Sequence, residues 1–310
     1  MSKKRYTVAC LSGDGIGPEV MAEASRALAD VSQLHGFGID EHHVAFGGDA
    51  VRRFGHPLPV VTREACRHAD AVLVATTTEP ALEGVKAELD LTWRMTRVRL
   101  DGTRLTVVSP LADDARELAV ERAFALACNR QAHVASVGAS FEWRAVVDRA
   151  AERCPGVTVE HVEFEAVVPD LFREPSRFDV VVSEQVLAEA LSHTAAYAHG
   201  STRMVASGRL SADGPGIFGP THGSALEIAG QGVANPSGML LAAALMLEGL
   251  GQRSAARTLE NAVAETLHDG VQTPDLMASG VGATTREFMD VLLAALPGAR
   301  TDTEFAGVAA

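Results

Sequence analysis

Apolar positions along the chain fall into short runs separated by segments of helical period. Residues 6–11 (YTVACL) form one such run, closely followed by glycine, and predict a buried strand. Runs at 70–75 (DAVLVA), 104–108 (RLTVV), about 132–137, about 157–163 and 179–183 (DVVVS) predict further strands. Between the first two, Val20, Ala24, Leu28 and Val31 share one face of a helix that opens at Pro18 and runs to about Leu34. Helices are also expected at about 114–128, 142–153, 184–198, 236–250, 253–268 and 284–296, whereas the Gly/Ser-rich stretch 200–224 reads as irregular. Strands alternating with helices predict an α/β fold with its sheet covered on both faces.

Bulk properties narrow the function classes. A chain of 310 residues with 47% hydrophobic residues can bury a large core and suits two domains. A net charge of −13 argues against nucleic acid and anionic membranes as partners. No apolar run reaches the roughly 18 residues that span a bilayer, and the basic start MSKKRY lacks a following signal-peptide core. The expectation is a cytoplasmic protein. Cys10, Cys66, Cys128 and Cys154 are scattered without a CxxC pair, so they suggest reduced structural thiols. Lys3, Lys4 and Lys86 are the only lysines, and Tyr6 and Tyr197 the only tyrosines, which limits where such groups can enter chemistry.

Two segments carry candidate chemistry. Residues 13–20 (GDGIGPEV) join a strand to a helix. Their glycines permit a sharp turn and a close ligand approach, though a plain tight turn fits the GxGxG spacing equally well. Residues 222–236 (HGSALEIAGQGVANP) form a glycine-studded loop that ends at an Asn-Pro helix start. Such a loop offers N–H groups and short polar side chains to a phosphate or ribose; alternatively, Asn235 simply caps a helix with Pro236 at its first position.

Together, GDGIGPEV and the loop from His222 resemble the isocitrate/isopropylmalate dehydrogenase family, the β-decarboxylating dehydrogenases. ADAVLV at 69–74, FDVVV at 178–182 with Glu184, and GATTRE at 282–287 agree in order and spacing. The resemblance implies an isopropylmalate dehydrogenase-like two-domain fold that is not a Rossmann fold. Residues 1–93 plus 204–310 would form the cofactor-side domain, and 94–203 a middle domain that pairs across a homodimer. It implies NAD as cofactor, with Gly15 and Ile16 in the first loop, His222, Gly223, Ser224 and Ala225 near the adenosine and diphosphate, and Asn235 near adenine. Glu227 stands where NAD-using members carry an acid for the ribose hydroxyls; its charge would repel a 2′-phosphate.

The reaction end departs from the family pattern. The three aspartates that hold Mg²⁺ or Mn²⁺ correspond to Glu165, Glu189 and His193, a set better suited to a transition metal, or else a solvated helix face. Ala139 takes the catalytic lysine's place, and the shortened segment between Ser109 and Glu121 lacks the catalytic tyrosine. Lys86, Thr96 and Ser109 align loosely with the carboxylate-binding arginines, while Arg94 and Arg97 lie close enough to serve instead. In a strand these two would face opposite sides, so only one enters the cleft. Thr78 ends a hydroxyl run after a strand, and His193 is a candidate general base. Two readings follow. One is a divergent NAD-dependent oxidoreductase acting on a small 2-hydroxy (carboxylic) acid, with or without metal and decarboxylation. The other is a non-catalytic nucleotide-binding or regulatory member, or a repurposed non-redox enzyme.

Overall fold

The structure, a computed structural model, describes residues 3–76, 79–100, 103–138, 140–198, 204–277 and 279–297. In chain order the elements are β1 (Arg5–Leu11), α1 (Gly17–His35), β2 (Gly38–His43), α2 (Gly48–Phe54), α3 (Val60–His68), β3 (Ala71–Val74) and α4 (Glu79–Glu88). Then come β4 (Trp93–Leu100), β5 (Thr103–Pro110), α5 (Arg116–Ala127), β6 (His133–Val137), α6 (Phe141–Arg153), β7 (Thr158–Val162), α7 (Phe164–Arg173), β8 (Val180–Ser183) and α8 (Gln185–Ala198). The chain continues through β9 (Val205–Leu210), β10 (Gly216–Pro220), α9 (Ser237–Gly249), α10 (Arg253–His268) and α11 (Thr285–Ala294). The α/β fold expected from the alternating pattern is present.

The ten strands among the described residues lie in one sheet, ordered β2-β1-β3-β10-β9-β4-β5-β8-β6-β7. Its two flanks are parallel, as crossover helices require, and its centre is antiparallel through β10–β9, β9–β4 and β4–β5. The proposed domain division therefore falls between β9 and β4, yet the ladder crosses that line without a break. The largest core cluster also includes residues from both flanks, such as Leu73 and Val182. Helix α9 is apolar all round, and Ser237 through Leu247 are buried along its length, which suits a central helix. Among the described residues no helix is long and apolar enough to cross a membrane.

The expectation of an irregular 200–224 stretch is corrected: β9 and β10 occupy it and form the centre of the sheet. Its glycines make room rather than loops. A Cβ on Gly208 would stand 2.9 Å from the Phe218 ring, one on Gly216 3.0 Å from it, and one on Gly249 of α9 2.9 Å. Strand β2 (GIDEHH) also escapes hydrophobic patterning, because it is a partly exposed edge strand held only by β1.

Candidate active site

The two motif loops meet each other. The Ile16 N–H donates to the Ser224 carbonyl at 2.9 Å. Gly15 has φ +61°, and a Cβ there would lie 1.8 Å from the Ser224 oxygen, so only glycine permits this approach. The first loop is pinned from behind: the Asp14 carboxylate accepts from the Gly48 N–H at 2.8 Å, and the Thr76 hydroxyl donates to the Asp14 carbonyl. Glu19, in the first turn of α1, accepts from the Gly232 N–H at 3.3 Å, and burial raises its carboxyl above the usual range against the opposing pull of the Gly232 and Gly230 backbone donors.

Between the loops lies a cavity of about 470 Å³ lined by Ile16, His222, Gly223, Ala225, Glu227, Ile228, Asn235 and Asp275. Six of the eight residues expected at the cofactor, Ile16, His222, Gly223, Ala225, Glu227 and Asn235, line it directly, and Gly15 and Ser224 form the junction behind. Asn235 lines the cavity and also caps α9: its Oδ1 accepts from the Ser237 N–H at 2.9 Å while its Nδ2 donates to Thr273 at 3.0 Å. The capping bond does not remove Asn235 from the cavity wall. Asp275 was missed by sequence reasoning. It is tied in by accepting from the Asn235 N–H at 3.2 Å and from the Thr273 hydroxyl at 2.5 Å, and its only signal was the Thr-Pro turn start before it. Two carboxylates, an imidazole and free backbone suit a nucleoside's hydroxyls better than an additional phosphate.

A second cavity, about 430 Å³, is lined by Glu83, Lys86, Leu91, Arg94, Leu111, Gln185, Glu189 and Arg209. Here Arg94 from β4 pairs with Glu189 from α8. Arg209 sits opposite Arg94 in the β4–β9 register. It was missed because its strand, Val205–Leu210 (VASGRL), carries no apolar–polar alternation to announce it. Lys86 pairs with Glu83. Three cations and two carboxylates around an open cavity suit a small acid with more than one carboxylate.

Arg97 is corrected. It faces away from Arg94, as strand alternation requires, and is 1% exposed. Its Nη1 reaches Glu248 of α9 at 2.6 Å and Glu260 of α10 at 2.7 Å. Arg104 joins Glu260 at 2.6 Å, and Arg130 joins Asp179 at 3.2 Å. Burial opposes the charge on Glu248, but Arg97, followed by Arg130 and Arg104, outweighs it and holds the carboxyl at about 2. Arg97 thus belongs to a buried network that ties the central strands to α9 and α10.

The metal set is not assembled within the chain. Among the described residues, the three ligand-type side chains whose donor atoms all lie within 4.8 Å of one another are Cys10, Glu41 and His43. Glu189 is engaged by Arg94, while Glu165 on α7 and His193 on α8 are exposed. His193 lies one helical turn, about 6 Å, past Glu189 and does not line the cavity. Thr78 lies outside the described residues, as does Ala139. Neither tyrosine lines the cleft. Tyr6 is buried with its hydroxyl donating to the Leu250 carbonyl at 3.0 Å, and Tyr197 is an exposed residue of α8. The shortening after β5 is plain: a single 3₁₀ turn, Asp113–Ala115, separates the strand from α5.

Comparison with known proteins agrees with this geometry. Residues 7–99 and 103–292 match the model of the family described as isocitrate/isopropylmalate dehydrogenase. A 3-isopropylmalate dehydrogenase of Pseudoalteromonas translucida is 34% identical over 358 aligned positions, covering 95% of this chain and 99% of that protein. One from Synechococcus is 35% identical, covering 89% and 95%. A β-decarboxylating dehydrogenase of Thermococcus kodakarensis superposes with TM-score 0.83 at 27% identity, covering 94% of this chain and 96% of that one. An alignment of 358 positions against a chain of 310 means that this relative carries segments absent here. With matching motifs, interlocked loops and near-complete coverage, the chain belongs to the isocitrate/isopropylmalate dehydrogenase family.

Proposed function

We propose that this protein is an NAD-dependent oxidoreductase of small 2-hydroxy acids that bear a further carboxylate. The observation that carries the proposal is the cavity between the two motif loops, where Ile16, His222, Gly223, Ala225, Glu227 and Asn235 converge. Those residues fit NAD: the loop backbone and His222 would hold the diphosphate and adenosine end, and Glu227 would accept from the ribose hydroxyls. Bound NAD supplies the hydride acceptor.

In the second cavity, Arg94, Arg209 and Lys86 take the substrate's carboxylates. An entering carboxylate replaces Glu189 on Arg94, which leaves the Glu189 carboxylate free beside the substrate. As the C2–H bond breaks and its electron pair leaves as hydride, Glu189 accepts the hydroxyl proton and the alcohol becomes a 2-keto acid. Glu189 replaces His193 as the base in this scheme because it lines the cavity. Within one chain Glu165, Glu189 and His193 do not converge, and the residue roles above need no divalent metal. With the family's lysine replaced by Ala139 and no tyrosine lining the cleft, the keto acid leaves without efficient decarboxylation. The protein acts as a homodimer through α8, where Val186 and Tyr197 are 79% and 74% exposed and, with His193, share a face at i, i+7 and i+11.

Titration calorimetry with NAD and NADP, with and without Mn²⁺, tests the proposal, followed by NADH and CO₂ yields over a panel of 2-hydroxy dicarboxylic acids. Binding of NAD over NADP and NADH formed in excess of CO₂ are expected. No binding of either nucleotide would remove the dehydrogenase reading and leave a non-catalytic family member.

A further inference from the structure

A third cavity, about 340 Å³, shares no lining residue with the other two. It is lined by Arg104, Arg130, Arg253 and Arg257, with Asn129, Gln131, Asp179 and Glu248 among its other polar groups. It lies between α5 and the start of α10, at the end of the β4–β5 pair remote from Arg94: Arg104 sits near the start of β5, whereas Arg94 registers with Ser109 near its end.

Counting charges shows what the cavity lacks. Arg97, Arg104 and Arg130 are matched by Glu248, Glu260 and Asp179. Arg253 and Arg257 add two further positive charges. Arg253 meets only the neutral Asn129 amide oxygen, at 3.3 Å, and Arg257 has no ion pair among the described residues. The two arginines are four residues apart in the opening turns of α10, so they share a helix face. That terminus has no acidic residue in its first turn and no side-chain cap, which is an unfavourable place for two cations unless an anion joins them. The Arg130 side chain lines the same cavity and is only 10% exposed; it pairs with Asp179 at 3.2 Å and Glu248 at 3.5 Å, and its Nη2 makes no hydrogen bond. Burial, then Arg97 and Arg104, lowers its guanidinium to about 10. In a protein of net charge −13, the cavity lining carries four arginines against two carboxylates.

We infer that this cavity binds a small dianion, phosphate-like in its oxygen acceptors, held by Arg130, Arg253 and Arg257. A planar guanidinium fork matches the oxygens of phosphate or carboxylate. Such an anion would join the middle segment, through Arg130, to the C-terminal segment, through α10, away from both the cofactor cavity and the cleft.

The test compares the wild-type protein with the Arg253→Ser/Arg257→Ser double variant, titrated at fixed ionic strength with inorganic phosphate and, separately, with malonate. Both substituted residues are exposed, so the variant is expected to fold, with an anion-free unfolding midpoint equal to or above the wild type. NAD titration of both proteins reports the other cavity independently. The expected result is binding of at least one anion that weakens at least about tenfold in the double variant, with unchanged NAD affinity. Tighter binding of phosphate than malonate identifies a phosphate group, and the reverse order a dicarboxylate. Equal anion binding by the two proteins, or no binding by the wild type at millimolar concentrations, overturns the inference.

Discussion

Replacing Glu248 by glutamine tests the buried network that joins the central strands to α9 and α10. Glu248 faces Arg97 at 2.6 Å, Arg130 at 3.5 Å and Arg104 at 3.8 Å. Its carboxyl is held at about 2 against an ordinary 4.5, despite burial that by itself would raise it. A carboxyl depressed in the folded state contributes stability that is fully present above its ordinary value and is lost as pH falls through the folded value. At about 1.4 kcal/mol per pH unit, the gap corresponds to roughly 3 kcal/mol at neutral pH, of which about 1.4 kcal/mol is gone by pH 3.5. Glutamine keeps the shape and one acceptor but not the charge. Urea unfolding of both proteins at pH 7 and pH 3.5 measures the effect. The variant should be less stable at pH 7, and its loss on acidification should be smaller than the wild type's by about 1.4 kcal/mol. Parallel losses in the two proteins would refute the reasoning, because the charge on Glu248 would then not be coupled to folding.

Three further outcomes are expected around the proposed site. Gly15→Ala places a methyl against the Ser224 carbonyl in a left-handed conformation, so it should destabilise the fold by about 2 kcal/mol or more and weaken NAD binding in calorimetry. Arg94→Ala should raise KM for the hydroxy acid by roughly 10- to 100-fold through loss of a charged hydrogen bond, with little change in NAD affinity; an unchanged KM would remove Arg94 from substrate binding. Glu227→Gln should narrow the gap between NAD and NADP affinities by about tenfold, read from paired titrations, because the charge opposing a 2′-phosphate is gone.

The two motif loops were legible in the sequence because each is a contiguous segment, with Gly15 and Ile16 in one turn and His222, Gly223, Ser224, Ala225 and Asn235 in one loop; the resemblance to the family, not the spacing, gave them a role. The strands and helices of both flanks were legible for the same reason: each buries a continuous or periodic apolar face. Reading failed where local signal and final environment diverge. β9 and β10 looked irregular because their glycines accommodate Phe218, a residue brought against them by sheet and helix packing.

Sequence by itself determined the α/β class, the family motifs, the absence of a lysine at position 139 and the scarcity of tyrosine, since these are properties of residue identity and order. Tertiary structure decided which charges meet. Alternation on β4 separates Arg94 from Arg97, but only the packing of α8 on one side and of α9 and α10 on the other sends the first to Glu189 and the second to Glu248 and Glu260. It likewise left Glu165, Glu189 and His193 unconverged and set Arg130 beside Arg253 and Arg257. Coulomb energy depends on distance and burial, and neither is written in the spacing of residues that lie more than a hundred positions apart in the chain.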